Sequence, residues 1–175
     1  IFLGQYIGVS VSLSLSLVVG LGIPFLAYGV TQSGAIFDFV SLLFAGMFLT
    51  FIFVALAFNI ALSNENKIKG FGYAILLWLF MAVIYDGLFL ISLIVFQEYP
   101  LDQFSLFATI FNPIDLSRIM VLLKLDISAL LGYTGAVFQK FFGTGLGIFL
   151  SNSVLLLWIL LPTFKIMYTS KKKDF

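Results

Sequence analysis

Four long apolar runs dominate this chain, and they decide the solvent in which it can fold. A transmembrane helix needs about 20 mostly apolar residues, and the runs at about 6–30, 37–62, 70–96 and from 144 to about 164 or 168 all reach that length. Hydrophobic residues make up 62% of the chain and charged ones 10%, against roughly 45–50% and 25% in soluble domains. A soluble domain of 175 residues has too much surface for its volume to hide so much apolar area. The surplus must face lipid or other membrane helices. The expected fold is therefore all-α and polytopic: three transmembrane helices over 1–96, an external amphipathic helical segment over 97–143, then a last transmembrane helix and basic tail over 144–175.

The same composition excludes much chemistry. The net charge is +1, which argues for no nucleic-acid partner. With no cysteine there is no thiolate nucleophile and no Cys metal site; with no histidine the commonest metal ligand and neutral-pH acid–base group are missing. No Gly-rich phosphate loop ending in Lys-Ser/Thr is present, so this chain is not expected to hydrolyse ATP by itself. We expect no catalytic residue, metal or cofactor, and membrane lipid as its surroundings. The first residue is Ile1, and no basic n-region or small-residue cleavage site precedes the first span, so the sequence reads as the C-terminal portion of something longer.

Orientation follows from basic residues near the span ends. Lys67 and Lys69 lie between the second and third spans, and Lys165, Lys171, Lys172 and Lys173 end or follow the fourth. Two crossings separate the groups, so both fall on one side, expected to be the cytoplasm of a bacterial inner membrane. The Thr31-Gln32-Ser33-Gly34 turn and the 97–143 segment are then external.

The first span contains Val9-Ser10-Val11-Ser12-Leu13-Ser14-Leu15-Ser16-Leu17, whose alternation alone reads as a strand. A lone strand cannot satisfy its backbone in lipid, so a helix wins. On that helix Gly4, Gly8, Ser12, Ser16 and Gly20 form a ladder of small residues, a device for close backbone approach. It serves either packing within the chain or a subunit interface. Gly143, Gly147 and Ser151 repeat the pattern around the start of the fourth span, and Gly20, Gly22 and Pro24 are expected to loosen or kink the outer end of the first.

In the 97–143 segment, Pro100 with Leu101, Phe104, Phe107 and Phe111 suggests a short amphipathic helix. Asn112-Pro113-Ile114-Asp115 then reads as an N-cap, a proline at the first helical position and an acid at the third. Leu116, Ile119, Met120, Leu123 and Ile127 share one face; Ser117, Arg118, Lys124 and Ser128 take the other. That is the pattern of a helix lying at a membrane surface.

Asp86, preceded by Tyr85, is the one carboxylate deep within a span. Such a group is a functional candidate because its charge costs several kcal/mol (about 3 on insertion scales) unless paired or protonated. It gates a pathway or relays a proton, or else makes a helix–helix hydrogen bond while neutral or partnered; no second intramembrane acid or base is visible to complete a relay. Asp38 reads as a cap at the external edge. Met47, Met81 and Met120 could in principle bind Cu(I) but, scattered singly, read as packing filler. Asn59 and Asn152 read as interhelical glue, and Lys171-Lys172-Lys173 as a topology anchor that could also touch anionic lipid.

These features together resemble the C-terminal two-thirds of permease subunits of type-2 ABC transporters, and most closely the NosY-type permeases of nitrous oxide reductase maturation. The likeness rests on Gly4-Gln5-Tyr6-Ile7-Gly8, Tyr85-Asp86 in a span, the Asn112-Pro113-Ile114-Asp115-Leu116-Ser117-Arg118 motif, and Leu125-Asp126-Ile127-Ser128 with Gly132-Tyr133-Thr134-Gly135. The resemblance implies six spans per subunit, a homodimer, and a cytoplasmic ABC ATPase subunit (NosF-like). It also implies a periplasmic partner (NosD-like) and a role in assembling the reductase copper site. It would place 97–143 near the dimer exit, make Asn112, Asp115 and Arg118 shape an external gate, and make the small-residue ladder an inner packing seam. The alternative is a non-transporting membrane scaffold whose external helices dock a partner protein.

Overall fold

In the computed structural model, residues 2–28, 35–125 and 135–173 are described, and every element among them is helical. The order is α1 (Phe2–Tyr28), α2 (Ala35–Ser63), α3 (Lys67–Leu79), a single π-helical turn (Phe80–Ile84), α4 (Tyr85–Val95), α5 (Asp102–Phe111), α6 (Pro113–Lys124), α7 (Gly135–Phe142) and α8 (Gly145–Lys173). Four helices are long and apolar enough to cross a membrane: Phe2–Leu26, Phe39–Ser63, Lys67–Val95 and Gly145–Ser170. The expected all-α fold with four such helices is thus present, and it is compatible with a multi-pass membrane protein. The Thr31–Gly34 turn, the Leu125-to-Thr134 part of the motif beyond Leu125, and the side chains of Asp38 and Lys171–Lys173 lie outside the described residues.

The chain divides into two compact units, one of residues 1–71 and 156–175, the other of residues 72–155. In the first, α1 packs along α2. Tyr6, Val54, Ala55, Leu62 and Ile166 form its core, with Phe2, Leu3, Phe51 and Phe58 against them. Tyr6 anchors the seam: its ring meets Phe51 and Phe58 edge-on, and its hydroxyl donates to the Phe51 carbonyl at 3.3 Å. Gly46 admits Leu17, since a Cβ there would stand 2.9 Å from a Leu17 methyl. Asn59 donates to the carbonyls of Ala55 and Pro162, both at 2.8 Å, joining α2 to α8. It is the interhelical glue that the sequence suggests. The Asn152 amide donates back to Ile148 of its own helix at 2.8 Å.

The face of α1 that packs is not the small-residue ladder. Tyr6, Ser10 and Ser14 are buried, whereas Gly4, Gly8, Ser12, Ser16 and Gly20 are all exposed. A Cβ on Gly4, Gly8 or Gly20 would meet nothing within 4 Å. The buried side of α1 runs instead along Tyr6, Ser10 and Ser14, with Leu17 over Gly46, and leaves the ladder unused there. The helix also runs on through Pro24 to Tyr28.

In the second unit α5, α6 and α7 cluster together around buried Leu116, Ile119, Phe138 and Phe142. Gly143 and Gly147 are explained locally. A Cβ at Gly143 would strike the Gln139 carbonyl, and one at Gly147 the Phe141 carbonyl. They permit the tight α7–α8 turn, which Thr144 closes by accepting from the Gly147 N–H at 3.0 Å.

Candidate functional site: a polar elbow against an interrupted helix

The centre of the second unit is built on two interruptions of helical hydrogen bonding. The first is the π-turn. In an uninterrupted α-helix the Tyr85 N–H would serve the Met81 carbonyl, but here it bonds to Phe80. The Met81 carbonyl loses its usual donor. Turns of this kind recur at functional sites in other proteins. The extra residue also rotates everything after it by about 100° around the axis, which changes the face on which Tyr85 and Asp86 emerge.

The second interruption is the elbow between α5 and α6, which are bent by 115° across Asn112. Pro113 offers no N–H and so begins α6 without loss. Asn112 takes an extended conformation, and its side-chain oxygen accepts from the Ile114 N–H at 3.0 Å. This is the N-cap, with proline first and Asp115 third, expected from the sequence. At the end of α5 the Asn112 N–H turns to Thr109 at 3.3 Å, leaving the Ala108 carbonyl without its α-helical donor.

Each interruption is satisfied by the other element. The Asn112 amide nitrogen donates to the Met81 carbonyl at 2.8 Å and to Asp115 Oδ2 at 3.0 Å. In return the Tyr85 hydroxyl donates to the Ala108 carbonyl at 2.6 Å. Asn112 is fully buried and spends both amide hydrogens and its oxygen. Met81 contributes its carbonyl, while its thioether takes no part.

Above this junction sits a charged triad. Arg118 Nη1 and Nη2 donate to Asp86 Oδ2 and Oδ1, both at 3.0 Å, a bidentate pair. Nη2 also donates to Asp115 Oδ1 at 2.6 Å.

All five residues singled out in the sequence, Tyr85, Asp86, Asn112, Asp115 and Arg118, therefore meet in one place. What sequence reading missed is that the two groups are one. It left Asp86 without a named partner and put Arg118 on a separate surface helix. A signal was available: Arg118 is the only arginine, and Asp86 the only carboxylate deep in an apolar run. The reading of 112–128 as a helix flat on a surface also needs revision on one point. Ser117, assigned to the polar outer side, is buried, and the start of α6 is pinned to Met81, the midpoint of the 29-residue helix Lys67–Val95. An amphipathic pattern shows only that one face is covered, not what covers it.

The ladder residues Gly4, Gly8, Ser12, Ser16 and Gly20 belong to the other unit. Among the described residues no group of three or more His, Cys, Asp or Glu could hold a metal ion. Comparison with protein-family models and with curated proteins finds no match.

Proposed function

We propose that this chain is the C-terminal portion of a permease subunit of an ATP-driven ABC transporter, of the NosY-like kind that supports copper-site maturation of nitrous oxide reductase. The observation that carries the reading is the bent helix pair α5–α6, placed just before the last long helix and pinned to the middle of the third. Such a pair is a rigid lever: two reciprocal hydrogen bonds and a bidentate ion pair make it move with α4 rather than independently. Rocking of α4, driven by ATP-dependent closure of a separate NosF-like ATPase, would open or close the outer side through Asn112, Asp115 and Arg118. In that frame Asp86 is a conformational residue rather than a proton relay, since its charge is engaged by Arg118. The exposed ladder on α1 supplies a contact face for the second permease copy of a homodimer. A NosD-like protein on the periplasmic side would meet the region of the elbow.

The test is co-purification of the full-length protein with an ABC ATPase and measurement of ATP hydrolysis in liposomes. We expect coupled hydrolysis that Asp86→Asn and Arg118→Ala uncouple without dissociating the complex. Stable membrane insertion with a bound external protein but no ATPase would instead establish a scaffold. Full coupling in both variants would remove the elbow from the mechanism.

A further inference from the structure

The Asp86–Arg118 pair is only partly covered. The Arg118 side chain is 46% exposed and that of Asp86 28%. Asp86 lies five residues past Met81, the midpoint of Lys67–Val95, so the pair stands roughly 7–8 Å from the middle of that helix and about 13 Å short of its end. At such a depth a charged side chain facing acyl chains is strongly disfavoured, and intramembrane charges face protein or water-filled cavities instead. Arg118 cannot escape by snorkelling to the interface, because both terminal nitrogens are held by Asp86 and Asp115.

We propose that the exposed flank of this pair lines a water-filled recess, open toward the Val95 end of α4 and selective for small hydrophilic cations. Two carboxylates against one guanidinium leave one surplus negative charge, and low-dielectric walls focus such a field. Arg118 then acts as a tethered cation that holds the site closed and can be displaced by a mobile one. The proposal rests on the reading of 67–95 as a membrane span.

The absence of cysteine from these 175 residues makes the recess directly testable. In the full-length protein in liposomes, Arg118→Cys, Asp86→Cys and Leu88→Cys are each treated with membrane-impermeant thiosulfonates, one bearing a quaternary ammonium and one a sulfonate. Leu88 is 54% exposed and points about 160° away from Asp86 around α4, which makes it the lipid-facing reference. We expect Arg118→Cys to react, about tenfold faster with the cationic reagent than with the anionic one. Leu88→Cys should react with neither until detergent is added. Asp86→Cys, which leaves one carboxylate and one guanidinium, should react without charge preference, and it reports on the recess even if Arg118→Cys does not fold. Protection of both positions in liposomes overturns the recess but leaves the span intact. Labelling of Leu88→Cys as fast as the others overturns the span and the recess together. Equal rates for the two reagents at Arg118→Cys overturn the cation preference.

Discussion

The two units place polar groups inside a largely apolar chain in opposite ways. In the unit built on α1 and α2, the buried polar side chains among the described residues, Ser10, Ser14 and Asn59, are all neutral. Thr50 donates to Gly46 and Ser63 to Asn59 within their own helix, whereas Tyr6 and Asn59 reach another helix. In the unit holding the elbow, two carboxylates and a guanidinium are bonded to each other and to Asn112. The first arrangement is modular: each bond is worth about 0.5–1.5 kcal/mol and its loss stays local. The second is interdependent, since removing one charge strands another, which costs more than the pair itself contributes. A neutral seam suits parts that stay together, and a charged elbow suits a part whose position is to be specified or switched.

The largest expected effect therefore lies in the elbow. Arg118→Ala leaves Asp86 and buried Asp115 unpaired. Breaking a buried pair costs about 3–5 kcal/mol, and the partial exposure of Arg118 reduces that to about 2. Thermal unfolding in detergent should drop by about 5 °C. The double variant Asp86→Asn/Arg118→Gln should recover more than half of the loss; if it does not, the triad is no more interdependent than the α1–α2 seam.

Asn112→Ala comes next. It removes the cap, the bond to Met81 and the bond to Asp115 at once, for about 1–2 kcal/mol from the cap alone at the upper end of its range. Accelerated hydrogen exchange should appear at both α6 and the π-turn. Exchange confined to α6 would show that the Met81 carbonyl does not depend on Asn112.

In the neutral unit, Asn59→Leu gives up one interhelical bond and regains apolar contact, so we expect about 1 kcal/mol or less. A loss as large as that of Arg118→Ala would erase the distinction between the units. The smallest effect on folding belongs to Gly8→Ala, whose new methyl meets nothing within 4 Å and whose helix propensity improves by about 1 kcal/mol. Stability of the separated chain should be unchanged or slightly raised. If the ladder is a contact with a second copy, cross-linking between copies should nonetheless fall, because that contact needs close backbone approach.

Some of this was legible along the chain and some was not. The strand-like alternation at Val9–Leu17 resolves to helix from solvent alone, and the cap at Asn112 follows from residue types at adjacent positions. The π-turn has no such signature: Phe80–Ile84 reads FMAVI, as apolar as its surroundings. The ladder of small residues on α1 was visible, but which face of α1 packs on α2 depends on Phe51, Phe58 and Leu17 finding complementary space.

Composition and pattern by themselves determined the helical class, the four long apolar runs and the capped turn at 112. These depend on one-dimensional quantities, hydropathy over about 20 residues and local backbone chemistry. Only the tertiary structure decided that Arg118 closes on Asp86, that Asn112 feeds Met81, and that the ladder stays open. Those outcomes hinge on where two helices far apart in sequence come to lie, and a single rotation of about 100° at the π-turn is enough to change which side chains meet.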